Sequence, residues 1–249
     1  MTLEQILDAY RTRSRFASQF TAWRTLPAKS AQFAEFPPNV DPRLRHALAG
    51  CGITQLYTHQ ARSYEEARAG RDFVVVTPTA SGKTLCYNLP VLDTILRGGG
   101  PRALYLFPTK ALGADQVDEL QQLITGIGAG IGAFTYDGDT PGDARRTIRA
   151  AGHVVVTNPD MLHTAILPHH TKWLRLFENL QYIVLDELHH YRGVFGSHLA
   201  NVLRRLLRIC RFYGSSPRFI CCSATIGNPG EHAARLIGRP VTVLDESGA

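Results

Sequence analysis

Residues 72–84 read DFVVVTPTASGKT, and helical periodicity follows over Lys83–Leu96. The first six residues, Asp72–Thr77, form a near-continuous apolar run short enough for a strand buried on both faces. A strand that runs into a small, glycine-containing turn and then a helix places backbone N–H groups round an anion at the helix N-terminus. In such a turn Lys83 can reach the β- and γ-phosphates of a nucleotide, and the Thr84 hydroxyl can hold Mg²⁺. The strict G-x-x-x-x-G-K-[ST] pattern fails at its first position, where Thr77 replaces glycine. The strand–turn–helix context carries the reading instead.

The alternation continues on both sides of this stretch. Apolar runs recur at Ala103–Phe107, His153–Thr157, Tyr182–Leu185, Phe219–Cys222 and Val241–Leu244, with a weaker one at Ile131–Thr135. Helical period separates them, as over Ala111–Ile124 and His198–Phe212. Such alternation predicts an α/β fold with a parallel sheet covered on both faces. Ligands then collect beyond the carboxyl ends of the strands. Upstream, residues 1–20 read as one helix with Leu3, Ile6, Leu7 and Tyr10 on one face. The prolines 27, 37, 38 and 42 mark a linker or wrapping loop. A short helix is expected over Pro42–Ala49, capped by Asp41. Another is expected with Thr58 as N-cap and Gly70 as its stop.

About a hundred residues after Lys83 comes Tyr182-Ile183-Val184-Leu185-Asp186-Glu187-Leu188-His189. An apolar strand ending in two carboxylates sets both at the same sheet edge as Lys83. Asp186 is then placed to hold magnesium, and Glu187 to orient and deprotonate an attacking water. The adjacent His189 and His190 leave a strand exit and are expected to point different ways, against a metal pair.

The 249 residues carry 27 Lys+Arg and 21 Asp+Glu, a net charge of +6, with 44% hydrophobic residues. That composition excludes a disordered chain. No apolar run approaches a membrane span, and the N-terminus lacks the pattern of a signal peptide, so a cytoplasmic, nucleoid-associated location is expected. The five cysteines contain no C-x-x-C, which argues against a zinc site, and Cys221 and Cys222 read as core residues. The arginines at 204, 205, 208 and 211 read as a solvated helix face opposite a leucine stripe. Asp143–Arg149 reads as a helix that is as fit to touch DNA as to face solvent.

These residues resemble the first RecA-like domain of a superfamily 2 helicase, with a DELH form of the Asp-Glu box. The likeness runs in motif order from Gly52 to Thr225. GITQLYTHQ (52–60) is similar to the adenine-reading Q-type motif. FPTKAL (107–112), YDGDT (136–140) and TNPDML (157–162) are similar to the strand-contacting motifs, and Ser223-Ala224-Thr225 to motif III. The wording looks closest to the MrfA/YprA-like, DUF1998-associated bacterial helicases, a branch in which Ala80 stands where many helicases have glycine.

The resemblance implies a three-layer, RecA-like P-loop NTPase domain over residues 46–249, after an N-terminal helical extension and linker over 1–45. It implies ATP and Mg²⁺ as cofactors, held by Thr79, Ala80, Ser81, Gly82, Lys83 and Thr84. Gln60 would read adenine; Tyr57 and Phe36 are candidates to stack on it, with core packing the expected fate of Phe36. It implies single-stranded DNA, or a duplex with a 3′ tail, running over Pro108, Thr109, Lys110, Gly138, Thr157 and Asn158. His189, Ser223 and Thr225 would couple nucleotide to strand. The implied activity is ATP-dependent 3′→5′ helicase or translocase action in DNA repair. The second RecA-like domain, which completes the cleft and brings the arginine finger, is expected to be absent from this chain, so little turnover is expected from it alone. The alternatives are a non-catalytic nucleotide- or nucleic-acid-binding module that regulates a partner, and an RNA helicase domain.

Overall fold

A computed structural model describes residues 2–24 and 30–249. Pro27 lies outside the described residues. The chain forms two compact units, Met1–Ser30 and Ala31–Ala249.

In the first unit the single helix expected over 1–20 is two. Thr2 and Gln5 form a reciprocal capping box that starts α1 (Leu3–Thr12). The helix stops at Arg13, which is extended, and α2 (Ser14–Ala17) follows. An edge-to-face chain of aromatics, Tyr10 with Phe16 and Phe20 with Trp23, folds this segment on itself and overrides the continuous helical pattern.

The second unit opens with β1 (Phe33–Ala34) paired antiparallel to β2 (Leu56–Tyr57), on either side of α3 (Pro42–Gly50). Helix α4 (Thr58–Arg68) follows. Its N-cap is Tyr57 rather than Thr58, because the Gln60 side chain reaches back to the Tyr57 N–H at 2.9 Å. Then β3 (Phe73–Val76), α5 (Lys83–Leu96), β4 (Arg102–Leu106), α6 (Lys110–Ile127), β5 (Ala133–Thr135), α7 (Gly142–Ala151) and β6 (Val154–Thr157) alternate. A broken helical stretch comes next: α8 (Pro159–Met161), a π turn (Leu162–Ile166), a 3-10 stretch (Leu167–Trp173) and α9 (Leu174–Asn179). The chain finishes with β7 (Leu180–Leu185), α10 (Gly193–Phe212), β8 (Arg218–Ser223), α11 (Pro229–Ile237) and β9 (Thr242–Leu244).

The seven strands β3–β9 form one sheet in the order β5-β6-β4-β7-β8-β3-β9, and every pairing is parallel. The two-residue period of a strand divides its side chains between two cores. Phe73, Val75, Ala103, Tyr105, Ile220 and Cys222 meet α3–α6. Val74, Val76, Leu104, Leu106, Phe219 and Cys221 meet the layer that contains α10 and α11. Cys221 and Cys222 are therefore core residues on opposite faces. Cys86, Cys210, Cys221 and Cys222 are buried, and burial pushes their thiols up, to about 12 for Cys86 and about 11 for Cys210. Cys51 is exposed.

The lower edge of the sheet is tied by two buried carboxylates. Asp72 accepts from the Phe219 N–H at 2.7 Å and lies 3.4 Å from Arg239, joining β3 to β8. Asp93 is wholly buried and accepts from the Asp41 N–H (2.8 Å), the Tyr64 hydroxyl (2.9 Å) and Arg97 (2.9 Å). It holds the start of α3, α4 and α5 together. Phe36 and Val40, from the proline-rich segment, are buried in the same core.

Removing a buried acceptor leaves its donors unpaired. Asp93→Ala should therefore cost on the order of 3 kcal/mol of unfolding free energy in a urea titration. A loss below about 0.5 kcal/mol, the range of an ordinary surface substitution, would show that Asp93 does not anchor these helices.

Candidate nucleotide and strand site

The carboxyl ends of β3, β4, β6, β7 and β8 share one rim, and the residues singled out by sequence fall there. After β3 the loop Thr77–Gly82 turns through two left-handed residues, Ala80 (φ 61°) and Gly82 (φ 75°). Gly82 suits this backbone; Ala80 carries a Cβ into it at a cost of about 1 kcal/mol. The loop is braced from inside by the Thr77 and Ser81 hydroxyls, 2.6 Å apart. It is braced from α4 by Gln60, whose Nε2 donates to the Gly82 carbonyl at 3.0 Å. His59 Nε2 meets the Ser81 carbonyl at 3.0 Å, and His59 Nδ1 accepts from the Gly248 N–H at 3.2 Å. Those two contacts fix the neutral tautomer, and burial holds the His59 pKa below its ordinary value. Lys83 Nζ donates to the Thr77 and Pro78 carbonyls at 2.9 and 2.7 Å. Tyr57 stacks between Phe33 (5.2 Å) and His59 (5.7 Å) beside Gln60. Phe36 is buried in the core and not at this site.

Across the rim, Asp186 ends β7. It accepts from the Glu187 N–H at 2.7 Å and from the Tyr87 hydroxyl at 3.1 Å. Burial pushes its pKa up to about 6; the Glu187 N–H, Tyr87 and the charge of Lys83 pull the other way. Glu187 follows in a left-handed conformation (φ 51°), rare for a residue with a side chain and typical of functional rims. Its carboxylate lies 3.3 Å from His189 Nδ1, which also accepts from the Ala224 N–H at 3.3 Å. His189 thus bridges the Asp-Glu box to the end of β8. The two histidines do not point apart as expected. A short 3-10 turn over Leu188–His190 keeps their rings 4.5 Å apart, and with Glu187 they form a cluster of ligand-type atoms within 4.8 Å.

Ser223 ends β8 beside Val76 and is fully buried. Its hydroxyl has no hydrogen-bond partner, whereas Thr225 is exposed. An orphan hydroxyl, a desolvated carboxylate and the Thr84 hydroxyl converge on one rim. That set of hard oxygen donors fits a divalent cation with a phosphate ligand.

Sequence reasoning missed Gln116 and Tyr87. Gln116 Oε1 accepts from Thr84 (3.2 Å) and lies 2.9 Å from the Tyr87 hydroxyl, whose one proton can go to it or to Asp186, so Gln116 and Tyr87 lie between Thr84 and Asp186. A polar residue inside α6 and a tyrosine in an apolar helix give no signal until β3 and β7 are placed two strands apart.

The expected strand contacts lie beyond β4 and β6. Thr109, Lys110, Asp137, Thr157 and Asn158 line one recess. Thr109 caps α6 and Asn158 caps α8. Lys110 is exposed and pairs with Asp139 at 2.9 Å. Pro108 is half-buried, and Gly138 is exposed in a turn held by Arg145, whose guanidinium donates to the Thr140, Asp137 and Gly138 carbonyls. Thr157 departs from the expectation. It is buried, and its hydroxyl donates to the Tyr136 carbonyl at 2.6 Å, so it fastens β6 to that turn and offers no side chain to a strand. On α10, Arg204, Arg208 and Arg211 are exposed, while Arg205 is half-buried beside His163; the buried stripe includes Leu199, Val202, Leu203 and Leu206.

Residues 57–232 match the DEAD/DEAH box helicase family model. The chain belongs to that family. It is 58% identical over 227 residues to the uncharacterized ATP-dependent helicase YprA of Bacillus subtilis, covering 91% of this chain and 30% of that protein. It is 37% identical to the ATP-dependent helicase HRQ1 of Saccharomyces cerevisiae, covering all of this chain and 23% of that one. The structure of the DUF1998 helicase MrfA bound to DNA and AMPPNP superposes with a TM-score of 0.96 at 53% identity, over all of this chain and 34% of MrfA. The chain therefore spans about a third or less of the relatives it matches. Among the described residues no helix is long and apolar enough to cross a membrane.

The rim sacrifices stability, and two substitutions should recover it. Asp186 has its pKa raised on folding, so its contribution is greatest at low pH and is lost as pH rises through about 6. Asp186→Asn should raise the melting temperature at pH 8, by an amount worth up to about 3 kcal/mol, and leave it unchanged near pH 4. An equal gain at both pH values would show that the buried charge is not the cause. Ser223→Ala removes an unpaired buried hydroxyl and should be neutral to stabilising, by up to about 1 kcal/mol. A clear loss of stability would mean that this hydroxyl is satisfied in solution.

Proposed function

We propose that this chain is the ATP-binding motor domain of an ATP-dependent 3′→5′ DNA helicase or translocase that acts in DNA repair. The observation that carries the proposal is the convergence at one sheet rim of the braced loop that bears Lys83 and the half-buried Asp186–Glu187 pair. The domain so proposed occupies residues 46–249. The likeness to MrfA, whose structure holds DNA and AMPPNP, supports nucleotide and DNA as the two ligands.

In this reading the loop amides of residues 79–84 and the Lys83 ammonium receive the β- and γ-phosphates. Lys83 gives up its loop carbonyls to do so. Gln60 and Tyr57 stand where the base would lie, the amide to read adenine and the ring to stack on it. Thr84 and Asp186 would hold Mg²⁺, which when bound neutralises charge on the phosphate oxygens. Glu187 is the base that orients and deprotonates the attacking water, and it stands in left-handed backbone just after β7. The contact from His189 to the Ala224 N–H, with Ser223 and Thr225 beside it, is the route by which nucleotide state reaches the end of β8. The strand lies over Pro108, Thr109, Lys110, Gly138 and Asn158, where loop N–H groups and short polar side chains meet phosphate and sugar without reading sequence. Lys110 exchanges Asp139 for a phosphate. Single-stranded DNA, or a duplex with a 3′ tail, is the expected substrate, and the cytoplasmic nucleoid the expected location.

Equilibrium titration with Mg-ATP and with single-stranded DNA tests this. Lys83→Ala should weaken nucleotide binding at least about tenfold, a loss of about 1.4 kcal/mol. Glu187→Gln should retain nucleotide binding while it removes the base. DNA binding should fall steeply with salt and vary little with sequence. Nucleotide affinity unmoved by Lys83→Ala would overturn the site. Tighter binding of RNA than of DNA across the same salt series would favour an RNA helicase domain instead.

A further inference from the structure

Helix α6 joins the two halves of the rim. Its N-cap Thr109 and first residue Lys110 lie in the strand-contact recess. Gln116, six residues on and about 9 Å along the axis, lies against the nucleotide loop through its bonds to Thr84 and Tyr87.

The chemistry at Gln116 is a matter of where protons go. A hydroxyl that offers a lone pair to a cation must direct its own proton elsewhere, and Thr84 directs its proton to Gln116 Oε1 at 3.2 Å. The Tyr87 hydroxyl has one proton and two acceptors in reach, Gln116 Oε1 at 2.9 Å and Asp186 Oδ2 at 3.1 Å. It can satisfy one of them at a time. Tyr87 is fully buried and packs edge-on against Tyr105 at 5.3 Å, so it cannot turn to a third partner. The position of one amide oxygen therefore bears on both the aim of Thr84 and the hydrogen bond that Asp186 receives from Tyr87.

We propose that Gln116 is a positioning residue that couples a strand bound at the start of α6 to the cation-holding pair Thr84 and Asp186. A strand phosphate that draws on Lys110 moves α6 as a rigid rod. The Gln116 carbonyl moves with it and reapportions the protons of Thr84 and Tyr87. The inference rests on the nucleotide and strand assignments above. It adds a direct route through α6 to the one through His189 and Ala224.

The test is a thermodynamic cycle. The affinity of Mg-AMPPNP is measured with and without saturating oligothymidylate, for the unmodified chain, Gln116→Ala, Gln116→Glu and, as a control on the same helix, Gln121→Ala. Coupled sites commonly change each other's affinity by about 5–150-fold. The unmodified chain and Gln121→Ala should show at least about fivefold tightening by the strand, within that range. Gln116→Ala should reduce the factor below about twofold, with oligothymidylate affinity in the absence of nucleotide unchanged. Gln116→Glu, which keeps an acceptor oxygen, should recover part of the factor. Retention of the full factor in Gln116→Ala overturns the inference. So does an equal loss in Gln121→Ala, or two ligands that bind the unmodified chain without affecting each other. Failure of the unmodified chain to bind either ligand alone is a separate result, read from the single-ligand titrations. It would remove the site reading and this inference with it.

Discussion

A carboxylate taken out of water at the end of a parallel strand is the constraint around which this molecule is arranged. Asp186 is driven toward its neutral form by burial, and the surroundings oppose that with a backbone N–H, a tyrosine hydroxyl and the ammonium of Lys83. None of these is a full counter-charge in contact with it. In the proposed reading a cation completes this group, and the loop at 77–82 receives the complementary anion. Under that proposal one ligand, a metal-bound polyphosphate, meets both across a single rim.

The opposite edge of the sheet shows what the same chemistry looks like when it serves stability. Asp72 and Asp93 are as buried as Asp186 or more so, yet each is surrounded by donors from two or three elements. Those carboxylates fasten helices and strands. At the upper rim the chain accepts an alanine and a glutamate in left-handed backbone and a serine hydroxyl without a partner. The strained backbone and the orphan hydroxyl lie at the edge where ligands are proposed to bind, while Asp72 and Asp93 fasten the opposite edge.

Much of this was legible in the residues. Apolar runs without polar alternation predicted strands buried on both sides, and the alternating assignment of Phe73 to Val76 between two cores follows from strand geometry alone. The placing of the loop at 77–84 and of the carboxylates at 186–187 on one rim was readable, because each follows an apolar strand of the same parallel sheet. Four features were not legible. The break at Arg13 depends on aromatic packing that helical periodicity ignores. The burial of Thr157 depends on the Tyr136 carbonyl, which β6 meets only once the sheet is assembled. Gln116 belongs to the site through side chains from three elements far apart in sequence, and no local pattern encodes such a meeting. The irregular stretch from Pro159 to Asn179 also escaped, since its apolar residues follow neither a strict helical nor a strand period.

The distribution of sulfur has a practical corollary. Four of the five thiols are sealed in the two cores and held in the protonated, unreactive form, while Cys51 closes α3 in contact with solvent. An electrophilic dye applied to the folded molecule would find a single nucleophile. Nature has in effect supplied a unique attachment point for fluorescence, from which motions of the helical layer carrying the phosphate loop can be followed without engineering a cysteine-free background.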